Sequence, residues 1–291
     1  MKEKRSDRVL NTFNILICGF IACITIYPLL YVLSMSISDP NAVVSNQVTL
    51  IPKGFSFKAF SIVLKNSEIW TSYGNTIIYT VSSTLISVTL TMLAAYPLSR
   101  KEFCLRKALS LFFSITLFFT GTLIPMFILI TKLGLYNTRW AIILPTGATA
   151  WYIMMGRTFL EAIPESLYES AKIDGAGEFM ILFKIFLPLS IPVIAVLSLY
   201  YAVIMWNSYF EAMIYLTDRT LQPLQVYLMK VLTQNSLINT SGGLGSADNM
   251  GAISLQLQYV VIVVAVLPIL CVYPFIQKYF TKGAMVGAVK G

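Results

Sequence analysis

Histidine does not occur in this 291-residue chain, and only 12% of its residues are charged. Without histidine the chain lacks the commonest metal ligand and the side chain whose ordinary titration falls nearest neutral pH, which argues against proton-shuttle and His-ligated metal chemistry. The four cysteines, Cys18, Cys23, Cys104 and Cys271, show no metal-site spacing, and three lie in apolar runs; they read as free thiols packed as small apolar groups. No Gly-x-x-x-x-Gly-Lys-Ser/Thr run is present, so nucleotide is not bound through that phosphate-cradling loop. No acidic residue lies centrally in an apolar run, and Glu211 at an edge is the nearest. Proton- and sodium-coupled carriers commonly place ionisable groups there. Paired acids or a Ser/His set near the lipid, as a membrane-embedded enzyme would need, are also missing, and no metal site is expected.

What the chain has is apolar length. It is 57% hydrophobic, with a mean hydropathy of +0.74, outside the range of a soluble domain. Residues 9–38, 69–99, 108–131, 140–156, 185–210 and 249–277 contain no Asp, Glu, Lys or Arg. A membrane span takes about 20 mainly apolar residues. Five of the six runs exceed that length, and 140–156 reaches it through Thr158-Phe159-Leu160 when Arg157 snorkels. The expectation is an all-α polytopic membrane protein of six transmembrane helices. They fill residues 9–280, between a basic stretch at 1–8 and a tail at 281–291. The first apolar run is too long for a signal peptide and has no small-residue cleavage site, so it reads as a retained anchor.

Basic residues orient the spans. Fourteen of the 21 Lys and Arg lie at the two ends of the chain, in the link at 100–107 and between Arg157 and Lys184. By the positive-inside rule these segments are cytoplasmic. The formal charge of +8 is therefore a topology signal spread over short loops, not a nucleic-acid-binding patch. The loops at 39–68 and 212–248 fall outside. The first is too short for a domain of its own and reads as a cap over a pore mouth or a plain connector. The second includes a polar, glycine-rich stretch at 235–243.

The one long polar segment on the basic side is 161–188. Glu161, Glu165 and Glu169 are four apart and Lys172 follows by three, so these charges can share a helical face, with Leu167 and Ala171 on another. Pro164 suits a first turn, the helix dipole favours the early glutamates, and Asp174-Gly175 is a natural stop. A second short helix can carry Phe179, Leu182, Phe183 and Phe186 on one apolar face, ended by Pro188. Two amphipathic helices joined by a glycine turn make a docking surface; the same spacing also describes an ordinary interfacial loop.

Glu169-Ser170-Ala171, Gly175 six residues after that glutamate, Ile185, and Leu187-Pro188 resemble the "EAA" loop of ABC-importer permease subunits. In that pattern Glu-Ala-Ala is followed after three residues by Gly, after nine more by Ile and after one more by Leu-Pro. Ser170 departs from the first alanine but is nearly as small. Ile173-Asp174-Gly175-Ala176 matches the maltose-type carbohydrate branch, in its shorter partner form. The resemblance implies a type I ABC importer permease fold. In it this loop forms a coupling helix seated in a cleft of a cytoplasmic ATPase, with Glu165, Glu169, Ser170, Ala171, Asp174, Gly175, Ala176, Phe179, Phe183 and Pro188 as coupling residues. It further implies a homologous second permease, an ATPase dimer that binds the ATP and Mg, an external solute-binding protein (lipid-anchored or free), and a bacterial cytoplasmic membrane. No cofactor is expected on this chain itself.

The remaining candidates line a path. Helix 2 is rich in hydroxyls, most of them expected to pack, and Asn75 matches a family Asn-Ser or Asn-Thr position. The outer half of helix 5 supplies aromatic rings and polar groups suited to sugars, and Trp206-Asn207 matches a family element. Asn75, Tyr79, Tyr201, Trp206, Asn207, Tyr209 and Glu211 are thus the candidate translocation lining; an aromatic belt at the outer interface fits the helix 5 residues equally. In maltose-type importers the principal sugar site lies on the partner permease. Gly121, Pro125, Pro145 and Gly147 are expected to kink helices 3 and 4. The glycine-rich tail resembles the family's ATPase-facing tail, and its Lys-Gly ending resembles a subgroup associated with polymer-derived oligosaccharides. The expected function is the permease of a binding-protein-dependent oligosaccharide importer. An ABC permease for a peptide or amino acid is the alternative, followed by a secondary carrier.

Overall fold

The structure is a computed structural model, and it describes residues 5–119, 121–240, 253–271 and 274. In chain order its helices are α1 (Arg5–Ile37), α2 (Pro40–Val44), α3 (Lys58–Lys65), α4 (Ser67–Ser99), α5 (Arg106–Thr116), α6 (Leu123–Lys132) and α7 (Trp140–Ile143). There follow α8 (Ala150–Glu161), α9 (Glu165–Ile173), α10 (Glu178–Leu189), α11 (Ile191–Trp206), α12 (Phe210–Tyr215), α13 (Leu224–Thr240) and α14 (Ile253–Cys271). Among the described residues there is no strand, only an isolated antiparallel bridge between Ser38 and Phe55. The C-terminal tail, the glycine-rich residues 241–252 and the end of the sixth apolar run lie outside the described residues.

Among the described residues all six charge-free runs contain helix, and three hold a single helix of spanning length. Leu10–Ile37, Ser67–Ser99 and Ile253–Cys271 are each long and apolar enough to cross a membrane. The third run breaks between α5 and α6, where Gly121 and Thr122 have left the helix and Pro125 sits in the first turn of α6. The fourth breaks at Leu144–Thr149 around Pro145 and Gly147. The fifth bends by 80° between α10 and α11. Proline removes a backbone donor and crowds the preceding turn, so the breaks fall at or beside prolines.

The chain divides into two compact units. One comprises Met1–Ile69 with Leu228–Pro268, the other Trp70–Tyr227 with Ile269–Gly291. In the first, Gln256 of α14 is fully buried and donates Nε2 to the carbonyls of Ser36 (3.0 Å) and Ser38 (2.6 Å) at the end of α1. Met35, Val43 and Val48 pack there with Tyr31, Leu255 and Tyr259. The loop at 39–68 is more than a bare connector: Asp39 caps α2 through the Asn41 amide, and α3 follows.

In the second unit α4 is the central post. Ser83 bonds Thr146 (2.6 Å), Ser87 donates to the Thr146 carbonyl (2.9 Å) and Thr91 bonds the Tyr201 hydroxyl (2.8 Å). These hydroxyls pin broken neighbours to an unbroken helix. Gly156 lets α8 approach closely, since a Cβ there would lie 3.2 Å from the Cβ of Ala95. Near the Ser99 end of α4, Met92, Ala95 and Tyr96 join Leu160, Tyr168, Ala171, Leu182 and Phe186 in one core.

Candidate functional site

The 161–188 segment is built from α9, α10 and the turn between them. Asp174 ends α9, Gly175 takes φ +78°, and the chain closes as a Schellman motif: Ala176 N–H bonds Ala171 O (2.9 Å) and Gly175 N–H bonds Lys172 O (3.0 Å). A Cβ on residue 175 would meet nothing within 4 Å, so the left-handed backbone, not crowding, requires glycine. Tyr168 and Ala171 form the buried face of α9, and Ala176 is half-buried against the same core. Glu165, Glu169, Ser170 and Asp174 are exposed. So are two large apolar side chains near the turn, Ile173 (87%) and Phe179 (73%).

Three details differ from the spacing argument. Glu161 does not share a helix with Glu165 and Glu169, because residues 162–164 separate α8 from α9; it pairs instead with Arg106 (2.6 Å) and Arg157 (2.9 Å). Leu167 does not share the buried face of Ala171 and is itself exposed. Phe179, Leu182, Phe183 and Phe186 also do not share a face: Leu182 and Phe186 are buried while Phe179 and Phe183 are exposed. The helix runs on past Pro188, which is exposed, to Leu189. Lacking an N–H, Pro188 cannot bond the Lys184 carbonyl, and just upstream Leu182–Phe186 forms a π-turn, with Leu187 N–H reaching Leu182 O.

Behind α9 lies a polar joint that the sequence reading missed. Glu178 opens α10, and its carboxylate accepts from Lys172 Nζ (2.6 Å), Tyr96 Oη of α4 (2.8 Å) and Tyr168 Oη (2.9 Å). The Tyr168 hydroxyl also lies 3.1 Å from Glu102. Arg100, 8% exposed, donates to Ser99 Oγ and the Leu160 carbonyl, and its guanidinium lies 4.5 Å from the Phe186 ring centroid and 5.4 Å from that of Tyr168. Burial works to raise the Glu178 carboxyl, but its bonds from Lys172, Tyr96 and Tyr168 outweigh that and hold it below the usual glutamate range. Burial, then bonding to the two carboxylates, pushes the Tyr168 phenol up. Beside the joint is a cavity of about 470 Å³ floored by Leu93, Pro97, Phe103 and Leu182. Glu165 is drawn to Lys101 (2.6 Å), whereas Glu169 makes no ion pair among the described residues.

The candidates at the other end of α4 separate into two groups. Asn75 and Tyr79 are buried: the Asn75 amide donates to the Thr220 (2.6 Å) and Gln222 (3.3 Å) carbonyls, and Tyr79 Oη donates to Leu221 O (2.7 Å). Tyr201 is buried against Thr91 and Tyr152. Trp206 stacks edge-on with Tyr73. These four do not line a described cavity. Asn207, Tyr209 and Glu211 do, in a space of about 580 Å³ shared with Gly121, Thr122, Pro145, Thr146, Phe210 and Tyr215. Ser208 Oγ reaches Glu211 (3.2 Å), and Asn207 leaves its side-chain carbonyl open while its amide bonds Val203 O (2.8 Å). The cavity thus gathers aromatic faces, an amide and a carboxylate beside the breaks in the third and fourth runs.

A family model described as "binding-protein-dependent transport system inner membrane component" matches residues 87–285. The chain belongs to this family. This permease is 41% identical over 286 residues to the polygalacturonan/rhamnogalacturonan transport system permease protein YtcP of Bacillus subtilis (strain 168), covering 96% of this chain and 98% of the relative. It is 36% identical over 291 residues to protein LplC of the same organism, covering 100% and 98%. A chain in the crystal structure of a bacterial ABC transporter involved in the import of the acidic polysaccharide alginate superposes with a TM-score of 0.85 at 34% identity, covering 96% of the permease and 99% of that chain. The permease is therefore a multi-pass membrane protein of the type I ABC importer fold. The matched region holds the 161–188 segment and the cavity residues Asn207, Tyr209 and Glu211.

Proposed function

We propose that this permease forms half of the translocation path of an ATP-driven, binding-protein-dependent importer for an oligosaccharide. Its 161–188 segment faces the cytoplasm and docks on an ATPase dimer that binds the ATP and Mg. A second, homologous permease supplies the other half, and an external binding protein delivers the sugar. The observation that carries the docking role is the bare tip of that segment. Ile173 and Phe179 stand exposed beside the unpaired Glu169 on a helix end fixed by its own hydrogen bonds, and exposed apolar groups in a polar loop mark a protein contact. The bias of basic residues toward the same side supports the orientation. The names of the relatives support a carbohydrate, and the aromatic, amide and carboxylate lining around Asn207, Tyr209 and Glu211 is suited to sugar rings and hydroxyls.

In this reading closure of the ATPase pair moves α9 and α10 as a lever. The 80° elbow at Ser190 and the breaks in the third and fourth runs let α5–α11 rock against the partner permease. The test is affinity purification from the native membrane, with mass spectrometry of what accompanies the chain. An ATPase, a second permease and a binding protein are expected, and the binding protein then serves to screen neutral and acidic oligosaccharides. A chain that purifies alone and transports in liposomes without ATP would overturn the reading.

A further inference from the structure

One carboxylate gathers three helices. Glu178, the first residue of α10, accepts from Tyr96 of α4 and from Tyr168 and Lys172 of α9, over 2.6–2.9 Å. Of these four side chains Tyr96 and Tyr168 are buried, whereas Lys172 and Glu178 are exposed beside Ile173 and Phe179 at the tip. Tyr96 sits 25 positions along a single unbroken helix from Thr71, at the opposite end of α4. At about 1.5 Å per residue that is a rod of roughly 37 Å. Between these points Ser83, Ser87 and Thr91 tie α4 to 146 and 201. A displacement of α9 that keeps its bonds to Glu178 must therefore move the near end of α4, and with it the broken helices hung on α4.

We infer that Glu178 is a positioning residue for energy coupling, the joint through which movement of the docking helix α9 passes into α4. This rests on the importer reading above. Its chemistry suits a joint. Three donors converge on one acceptor group, and two are tyrosine hydroxyls that can turn about their ring axes. The Arg100 guanidinium, held among the Tyr96, Tyr168 and Phe186 rings, keeps those rings together while the hydroxyls reorient. The Tyr96 end of the joint is buried away from the exposed tip, so cutting the bond there separates transmission from binding.

The experiment uses the whole transporter in nanodiscs, with the four cysteines of this chain replaced by serine and a reporter cysteine introduced as Thr71→Cys. Labelling by a membrane-impermeant maleimide is timed without nucleotide and after trapping with MgATP and vanadate. The expected result is that trapping changes the labelling rate in the otherwise unaltered chain. In E178Q the ATPase still co-purifies at full stoichiometry, but the labelling rate stays at its nucleotide-free value. Y96F, which keeps both α9 bonds and removes only the one to α4, gives the same loss and serves where E178Q yields little folded protein. A merely structural role would lower yield without uncoupling the two readouts. An E178Q or Y96F transporter whose label responds like the parent's overturns the inference alone. A parent transporter whose label ignores nucleotide, or a chain that binds no ATPase, overturns the importer reading and the inference with it.

Discussion

Two polar clusters grip the ends of α4, one buried and one partly open to solvent, and they are made differently. At the Ser67 end the grip is mainly side chain on backbone: Asn75 and Tyr79 bond the carbonyls of Thr220, Gln222 and Leu221, Thr76 Oγ1 accepts the Leu224 amide (2.8 Å), and Arg139 adds one bond to Asn75 Oδ1 (3.3 Å). At the Ser99 end it is side chain on side chain, with a carboxylate, an ammonium, a guanidinium and three rings. Backbone partners cannot rotate or exchange, so the first cluster has one arrangement and acts as a clamp. Side-chain partners can turn and trade bonds, so the second can hold its elements through a range of positions. A transporter needs both, and the chain keeps them at opposite ends of one helix.

The comparison breaks most visibly at the turn that feeds the flexible end. Gly175→Pro forces a φ of +78° toward proline's fixed negative value and deletes the N–H bonded to Lys172, on the scale of about 3 kcal/mol or more. Membrane insertion is expected to persist while the ATPase no longer co-purifies. Asn75→Leu attacks the clamp. It strands buried carbonyls at a cost of about 1–3 kcal/mol, read as a lower unfolding temperature in detergent, with the ATPase still bound. Tyr79→Phe removes one clamp bond and is expected to cost about 1 kcal/mol in the same assay. Glu169→Lys, at an exposed side chain without an ion pair, changes stability by less than about 0.5 kcal/mol yet is expected to lose the ATPase. Transport that survives this change would remove Glu169 from the docking surface.

Acid should sharpen the contrast. The Glu178 carboxyl is held below the ordinary glutamate value, so its contribution is present in full above that value and is lost as pH falls through the lowered one. Protection of the α9 amides, taken relative to their intrinsic exchange rates, is expected to hold from neutral pH down to the ordinary glutamate range and to fall below it. The clamp around Asn75 contains no carboxylate, so its protection relative to intrinsic exchange should stay constant over the same range.

Much of this was legible in the sequence, for definite reasons. Charge-free length located the apolar helices because lipid tolerates no unpaired charge, and Pro164 and Asp174-Gly175 marked the bounds of α9. Gly121, Pro125, Pro145 and Gly147 announced the breaks, although not that the helices would part completely there. The faces of α10 were misread because a π-turn shifts the helical period by a residue, and spacing counts assume 3.6 throughout. Glu178 escaped notice because its three donors come from residues 96, 168 and 172. Arg100 was read as a topology charge, while in the fold it is buried among rings. Asn75 was singled out by its match to a family position, which says nothing of its partners; its bonds to the Thr220 and Gln222 carbonyls are set by tertiary packing.

The breaks in the third and fourth runs also bear on how such a chain is made. Each leaves backbone amides and carbonyls without a helical partner inside a stretch that hydrophobicity alone would deliver to the bilayer. Lipid cannot satisfy those groups, whereas α4 can, as Ser87 does for the Thr146 carbonyl in the fourth run. During synthesis α4 emerges first and unbroken, so it can be in place before the segments that depend on it. In the proposed assembly a subunit made without its second permease keeps such backbone uncovered and should be a target for membrane proteases. Its abundance in the cell would then be set by the supply of its partner and not by its own rate of translation.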